Sequence, residues 1–179
     1  MPTAVANRYA RALADVVAAT GDYRQVLAEL EDFGAVYGGC PELREMCETP
    51  AVALPLKLGV METIVRRMGS SQVTLNFLRV LLSHYRMRLL AEVIQSFRKV
   101  CYARLGIVQV KISSAAELSS AERELLLARF NELTRQQSEL DFQLDRNLIG
   151  GLVAQIGSTV YDGSVRGNLD RIREQLMAQ

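Results

Sequence analysis

Between residues 4 and 19 the polar side chains fall on one line. Arg8, Arg11 and Asp15 recur at spacings of three and four, and almost every other position is apolar. That is the period of an α-helix. Two neighbouring apolar stripes run along it: Val5, Tyr9, Ala12 and Val16, then Ala6, Ala10, Leu13 and Val17. Together they are wider than a helix lying on a surface requires.

Gly21 ends this helix. A second is expected from about Tyr23 to Tyr37, with Val26, Leu27, Leu30 and Phe33 inward and Gly38-Gly39 as its stop. Pro41 suits the first turn of a short third helix through about Cys47, and Thr49-Pro50 breaks the pattern. A fourth runs from Pro55 to Met68, a fifth from about Gln72 to Ser83, and a sixth from about Met87 to Arg104. The fifth, with Leu75, Phe77, Leu78, Val80, Leu81 and Leu82, is again apolar over more than half its girth.

After Gly106 the period changes to two. Val108, Val110 and Ile112 alternate with Gln109, Lys111 and Ser113, which reads as a half-buried strand. Ser119 followed by Glu122 forms a capping box for a helix through about Arg135, carrying Leu125, Leu126, Phe130 and Leu133. Leu140, Phe142 and Leu144 form a second alternating run, and Asp145-Arg146-Asn147 can turn. Leu152, Val153, Ile156 and Val160 suggest a third strand, with Gly157 as a bulge. Asp162-Gly163-Ser164 starts a last helix carrying Val165, Leu169, Ile172 and Leu176. The expected class is mainly α: an N-terminal six-helix bundle over residues 1–105, then a small α/β C-terminal domain over residues 106–179.

Composition fits that layout. Hydrophobic residues make up 49% of the 179, but aromatics only 6%. Ala, Leu and Val therefore do most of the burying, as in close-packed helices. The formal net charge is +1, slightly positive before Leu105 and slightly negative after it. No basic patch calls for nucleic acid. Cys40, Cys47 and Cys101 are odd in number and widely spaced, and His84 is the only histidine, so no zinc set is present. Three reduced thiols in a cytosolic protein are expected. No targeting signal is visible, and no uncharged apolar run is long enough to span a membrane.

Catalytic motifs are missing. There is no phosphate loop, dinucleotide fingerprint, nucleophile elbow or paired-histidine metal motif. Gly150-Gly151 has no basic residue and helix behind it, so a tight backbone crossing at the start of a strand explains it. His84 has no visible orienting partner. Asp141 and Asp145 share a strand face with Glu139 and read as a solvated edge. No cofactor or metal is called for.

Several segments, in order, resemble the delta subunit family of F-type ATP synthases, which includes the mitochondrial oligomycin sensitivity-conferring protein. Arg8-Tyr9-Ala10-Arg11-Ala12-Leu13 is similar to the family's opening RYAxAL helix. Asn76-Phe77-Leu78-Arg79-Val80-Leu81, then Arg86 and Leu89 to Phe97, resembles its N-F-L-x-x-L…R…I-x-x-x-F stretch. Val108 to Ala115 is similar to its V-x-V-x-S-A strand, though here it reads Val-Gln-Val-Lys-Ile-Ser-Ser-Ala. Leu148-Ile149-Gly150-Gly151 and Asp162-Gly163-Ser164-Val165 resemble its LIGG and DGSV elements. From Cys40 to Gly69 no family motif stands out.

The resemblance implies a non-catalytic subunit of the peripheral stalk, on the cytoplasmic face of a bacterial membrane and held there by other chains. The N-terminal bundle would grip N-terminal helices of alpha subunits, and the C-terminal domain would meet the C-terminal ends of b subunits. Such a stalk stops the catalytic head from turning with the rotor. The wide apolar surfaces of helices one and five are the physical candidate for the grip. By resemblance, Tyr9, Ala12 and Asn76 are the foremost partner-binding positions, with Leu13, Phe77 and Val80 next. Ala6, Ala10 and Ala12 would allow close backbone approach. Core packing competes with this reading at every position, most of all at Leu13 and Phe77. The residues taken alone lead only to a two-domain adaptor. A helical scaffold unrelated to ATP synthase, or a small-molecule enzyme with an unfamiliar pocket, would share the missing motifs.

Overall fold

The computed structural model describes residues 3–145, 147–169 and 177. The chain is mainly helical, with a small four-stranded sheet towards its C-terminal end. It divides into two compact units, Met1–Cys101 and Tyr102–Gln179.

The first unit contains α1 (Ala4–Val17), α2 (Tyr23–Gly39), α3 (Pro41–Glu48), α4 (Leu54–Arg67), α5 (Gln72–Ser83) and a 3-10 turn (Met87–Leu89). It also holds most of α6 (Leu90–Leu105), which carries the chain into the second unit. Thr3 caps α1, its hydroxyl accepting from the Ala6 amide at 3.3 Å. Ser71 caps α5 in the same way, accepting from the Thr74 amide at 3.4 Å. Both satisfy amides that have no partner inside the helix. The helix α2 outruns its glycines: Gly38 and Gly39 stay helical, and the break comes at Cys40. Cys40 precedes Pro41 and is extended, with φ −117° and ψ 97°, because the proline ring disfavours helical backbone in the residue before it.

Leu30, Phe33, Met61, Leu78, Leu81 and Phe97 are each at most 1% exposed and form the heart of this unit. Burying such side chains contributes roughly 1.5–3 kcal/mol apiece. Among the fully buried residues is Lys57 of α4. Its ammonium donates to the Cys47 carbonyl at 3.0 Å and the Thr49 carbonyl at 2.7 Å, at the end of α3. The Tyr85 ring centroid is 5.6 Å from the same nitrogen, within reach of a cation–π contact. A lysine in a region without motifs thus staples α4 to α3.

The second unit contains β1 (Ile107–Ser114), α7 (Ser120–Thr134), β2 (Gln137–Leu144), β3 (Leu152–Ile156) and β4 (Thr159–Asp162). The strand order is β2-β1-β3-β4. β1 runs parallel to β2, which α7 makes possible as the crossover, and antiparallel to β3. Val110, Ile112, Phe130 and Ala154 are the buried centre, with Leu126, Leu140 and Phe142 packed around them. The capping box of Ser119 and Glu122 is present at the start of α7.

Two readings of this region need correction. Residues 152–162 form a hairpin of β3 and β4 rather than one bulged strand, since Ile156 pairs with Thr159 and Gly157 turns the chain at φ 58°. On α7, Leu125 and Leu133 are 62% and 57% exposed, so only Phe130 is buried. Leu126 packs beside Phe130 against the sheet, and Leu125 and Leu133 point away from that core. Of the expected last helix, residues 165–169 are helical; Ile172 and Leu176 lie outside the described residues.

The glycine motifs meet each other. Gly151 has φ +82°, and a Cβ there would stand 2.4 Å from the Gly163 carbonyl oxygen. Beside this crossing the Gly163 amide donates to the Leu152 carbonyl and the Val165 amide to the Gly150 carbonyl, both at 3.0 Å. Asp162 Oδ1 accepts from the Ser164 amide at 2.8 Å, and Ser164 Oγ accepts from the Gly167 amide at 3.0 Å. The motif pair is a fold-closing contact.

Candidate partner-binding site

The two stripes of α1 have different fates. Ala6, Ala10, Leu13 and Val17 are buried at 3% exposure or less. Val5 and Tyr9 are half-buried, and Ala12 and Val16 are exposed. One stripe therefore supplies the core, and the other lies apolar on the surface beside it. The helix α5 divides likewise. Leu75, Leu78, Leu81 and Leu82 are buried, Val73 is half-buried, and Asn76 and Val80 are exposed. Phe77 sits at the border, with 9% of its surface free.

Tyr9 and Phe77 join the two surface stripes. Their rings meet edge to face, with centroids 6.5 Å apart and planes at 71°, a favoured aromatic geometry. On another side of Tyr9, the Arg86 guanidinium carbon lies 5.5 Å from the ring centroid. The surface so formed has Tyr9, Ala12 and Val16 on one helix and Asn76 and Val80 on the other. The Asn76 side-chain carbonyl accepts from Gln72 at 2.9 Å. Leu13 and Phe77 serve the core beneath. Ala6 and Ala10 are also beneath it, so Ala12 alone of the three alanines offers close approach. The apolar period could not separate these cases, because a helix in the core of a unit and a helix with a binding face both look too wide.

Both helices are held at their starts by carboxylates from elsewhere in the unit. Glu29 of α2 accepts from the Ser71 amide at 2.9 Å, the Ser71 hydroxyl at 2.7 Å and the Thr74 hydroxyl at 2.5 Å. Partial burial pushes the Glu29 carboxyl up, but the bonds from Thr74 and Ser71 outweigh it and hold it below the usual range. Glu92 of α6 accepts from the Thr3 amide at 2.8 Å, which lowers its pKa as well. A carboxylate is favoured at a helix N-terminus by the free amides and the dipole. Neither glutamate carried a recognisable signal, because each acts on a residue far away in sequence.

Among the described residues no cluster of His, Cys, Asp and Glu could hold a metal, and no buried side-chain polar atom lacks a partner. His84 is exposed at the end of α5. Burial pushes the Cys47 thiol up, which makes it a poorer nucleophile. A cleft of about 580 Å³ between α2 and α6 is lined by Tyr37, Met87, Leu90 and Ile94. Arg98 pairs there with Glu31 at 2.7 Å and Arg88 with Glu48 at 2.8 Å, and Arg44 donates to the Gly38 carbonyl at 2.7 Å.

Residues 5–176 match the family model described as ATP synthase delta (OSCP) subunit. The chain is 43% identical to an ATP synthase subunit delta of Acidobacterium capsulatum over 97% of each. It is 35% identical to the corresponding subunit of Myxococcus xanthus over 96% of each. In fold it is similar to a chain of the Toxoplasma gondii mitochondrial ATP synthase hexamer, with TM-score 0.74, 24% identity and 99% of both chains covered.

Proposed function

The chain belongs to the ATP synthase delta (OSCP) subunit family, a non-catalytic subunit of that complex, and from this premise we propose that it works as a helix-gripping stator. Residues 1–105 act as one six-helix bundle on the catalytic head. The N-terminal helix of an alpha subunit lies along α1 and α5. Residues 106–179 meet the C-terminal ends of the b subunits. The head is thereby tied to the membrane-anchored stalk and does not turn with the rotor during ATP synthesis.

One observation supports this more than any other: the Tyr9–Phe77 ring contact ties α1, with Ala12 and Val16 exposed, to α5, with Asn76 and Val80 exposed. An amphipathic helix can lay its apolar face on such a surface. Each Å² of apolar area it covers contributes roughly 25 cal/mol before the costs of association and ordering. For the second unit, support comes from the exposed Leu125, Leu133, Ile149 and Val160. Among the described residues no helix is long and apolar enough to cross a membrane, so in this reading the b subunits provide the attachment at the cytoplasmic face of a bacterial membrane.

The test is calorimetric titration of the full chain with a synthetic peptide of the alpha-subunit N-terminus from the same organism. Saturable one-to-one binding is expected, with Ala12→Asp weakening it at least tenfold while circular dichroism stays unchanged. An exposed alanine tolerates aspartate in the free protein, but a charge under an apolar helix is left unpaired. Equal binding by the variant would move the site elsewhere, and no binding by the wild-type chain would remove the grip from the model.

A further inference from the structure

We infer that Arg86 reads charge at this surface: it selects a partner helix that carries a carboxylate where the helix passes Tyr9. The inference rests on the reading that α1 and α5 together take a helix.

The backbone after α5 is shaped to deliver this side chain. The Tyr85 amide donates to the Leu82 carbonyl at 3.0 Å and the Arg86 amide to the Leu81 carbonyl at 2.8 Å. This is the paired bonding of a Schellman turn, which needs a left-handed residue at the first position past the cap. Here that residue is Tyr85, at φ 55°, where glycine would be at ease. The turn directs Arg86 back to α1. Its guanidinium then lies 5.5 Å from the centroid of the same Tyr9 ring that Phe77 braces on another side.

Four arginines of this unit have their charges answered internally, whereas Arg8, Arg11, Arg44 and Arg67, like Arg86, have no such ion pair among the described residues but do not lie against the Tyr9 ring. Arg79 and Arg66 pair with Glu62, Arg88 with Glu48, and Arg98 with Glu31. Arg86 makes no ion pair with any described residue, although it is half-buried. A half-buried guanidinium beside an aromatic ring has given up part of its freedom and part of its water. Its fork of donors is then set for a carboxylate. Covering it with a purely apolar helix would strand the charge, so a partner lacking the acid is disfavoured. Arg11 lies two residues from Tyr9 and turns away from the stripe, which leaves Arg86 as the cation at the joined rings.

The experiment is a double-mutant cycle by calorimetry on the full chain. The probe is the alpha-subunit N-terminal peptide and a set in which each Asp or Glu in turn becomes Asn or Gln. Wild type, Arg86→Gln and Arg86→Lys are titrated with every peptide. One peptide substitution is expected to weaken wild-type binding roughly tenfold and to leave Arg86→Gln binding unchanged, since the two changes remove the same contact. Arg86→Lys should recover part of the loss. The inference is overturned if no acidic position couples to Arg86, or if Arg86→Gln binds within about twofold of wild type. Because the peptide set is also read against unaltered protein, a misfolded variant does not rescue the idea: wild-type indifference to every acid removal overturns it too. Ala12→Asp separates the two levels. If it abolishes binding while Arg86→Gln has no effect, only the charge reading falls; if it too has no effect, the groove falls and the charge reading with it.

Discussion

The helices α1 and α7 both carry more apolar surface than one face needs, yet their surroundings differ. On α1 the surplus stripe is tied to a second helix by an aromatic pair and has at Tyr9 an arginine without an ion pair among the described residues. On α7 the surplus leucines, Leu125 and Leu133, stand over half exposed around a single buried phenylalanine. The first unit has a deep core with carboxylates from α2 and α6 holding the starts of its surface helices. Among the described residues the second has a small core centred on Val110, Ile112, Phe130 and Ala154, and a glycine crossing. Surplus apolar surface takes a fixed shape only where neighbouring elements hold it.

The contrast can be attacked at the core first. Leu78→Ala removes a fully buried side chain and should cost about 3 kcal/mol or more, seen as an earlier helical transition in urea followed by circular dichroism. A loss below about 1 kcal/mol would show that α5 is not anchored as described. Next in size, Gly151→Ala places a methyl against the Gly163 carbonyl at a positive φ and should cost about 2 kcal/mol. Hydrogen exchange should then rise in β3 and β4 while α1–α5 stay protected. If exchange rises everywhere, the two units do not unfold separately.

A smaller effect is expected at Glu29. Its carboxyl is held below the ordinary value of 4.5 in the folded chain. The stabilisation is therefore present above about pH 4.5 and is lost as pH falls through the lower, folded value. Glu29→Gln should cost about 1 kcal/mol at neutral pH. The gap from wild type should narrow in acid; a gap independent of pH would mean that packing, not charge, is what the substitution removes. Smallest of all, Leu125→Ser should change stability by less than about 0.5 kcal/mol, because its side chain is 62% exposed. A large loss would mean that α7 is packed in a way its exposure does not show.

Helix and strand order was legible because apolar spacing states which side of an element meets a core. Errors arose where the local signal was ambiguous. Gly38-Gly39 looked like a stop, but the steric demand of Pro41 acts one residue later, at Cys40. Gly157 looked like a bulge, but the antiparallel pairing of β4 back onto β3 makes it a turn. Of the six partner-binding candidates, Ala12, Asn76 and Val80 lie on the surface, Tyr9 is half-buried, and Leu13 and Phe77 belong to the core. Spacing puts Ala10 and Ala12 in two different apolar stripes, and only packing decides which stripe is covered.

Local chemistry accounts for the helix starts at Thr3, Ser71 and Ser119, the change of period after Gly106 and the want of catalytic motifs. These depend on neighbours within a few residues, so they can be read along the chain. Burial of Lys57, the hold of Glu29 on Ser71, the meeting of Gly151 with Gly163 and the placing of Arg86 over Tyr9 were decided in three dimensions. Each depends on groups brought together from separate elements, and no periodicity encodes which distant donor will find which acceptor.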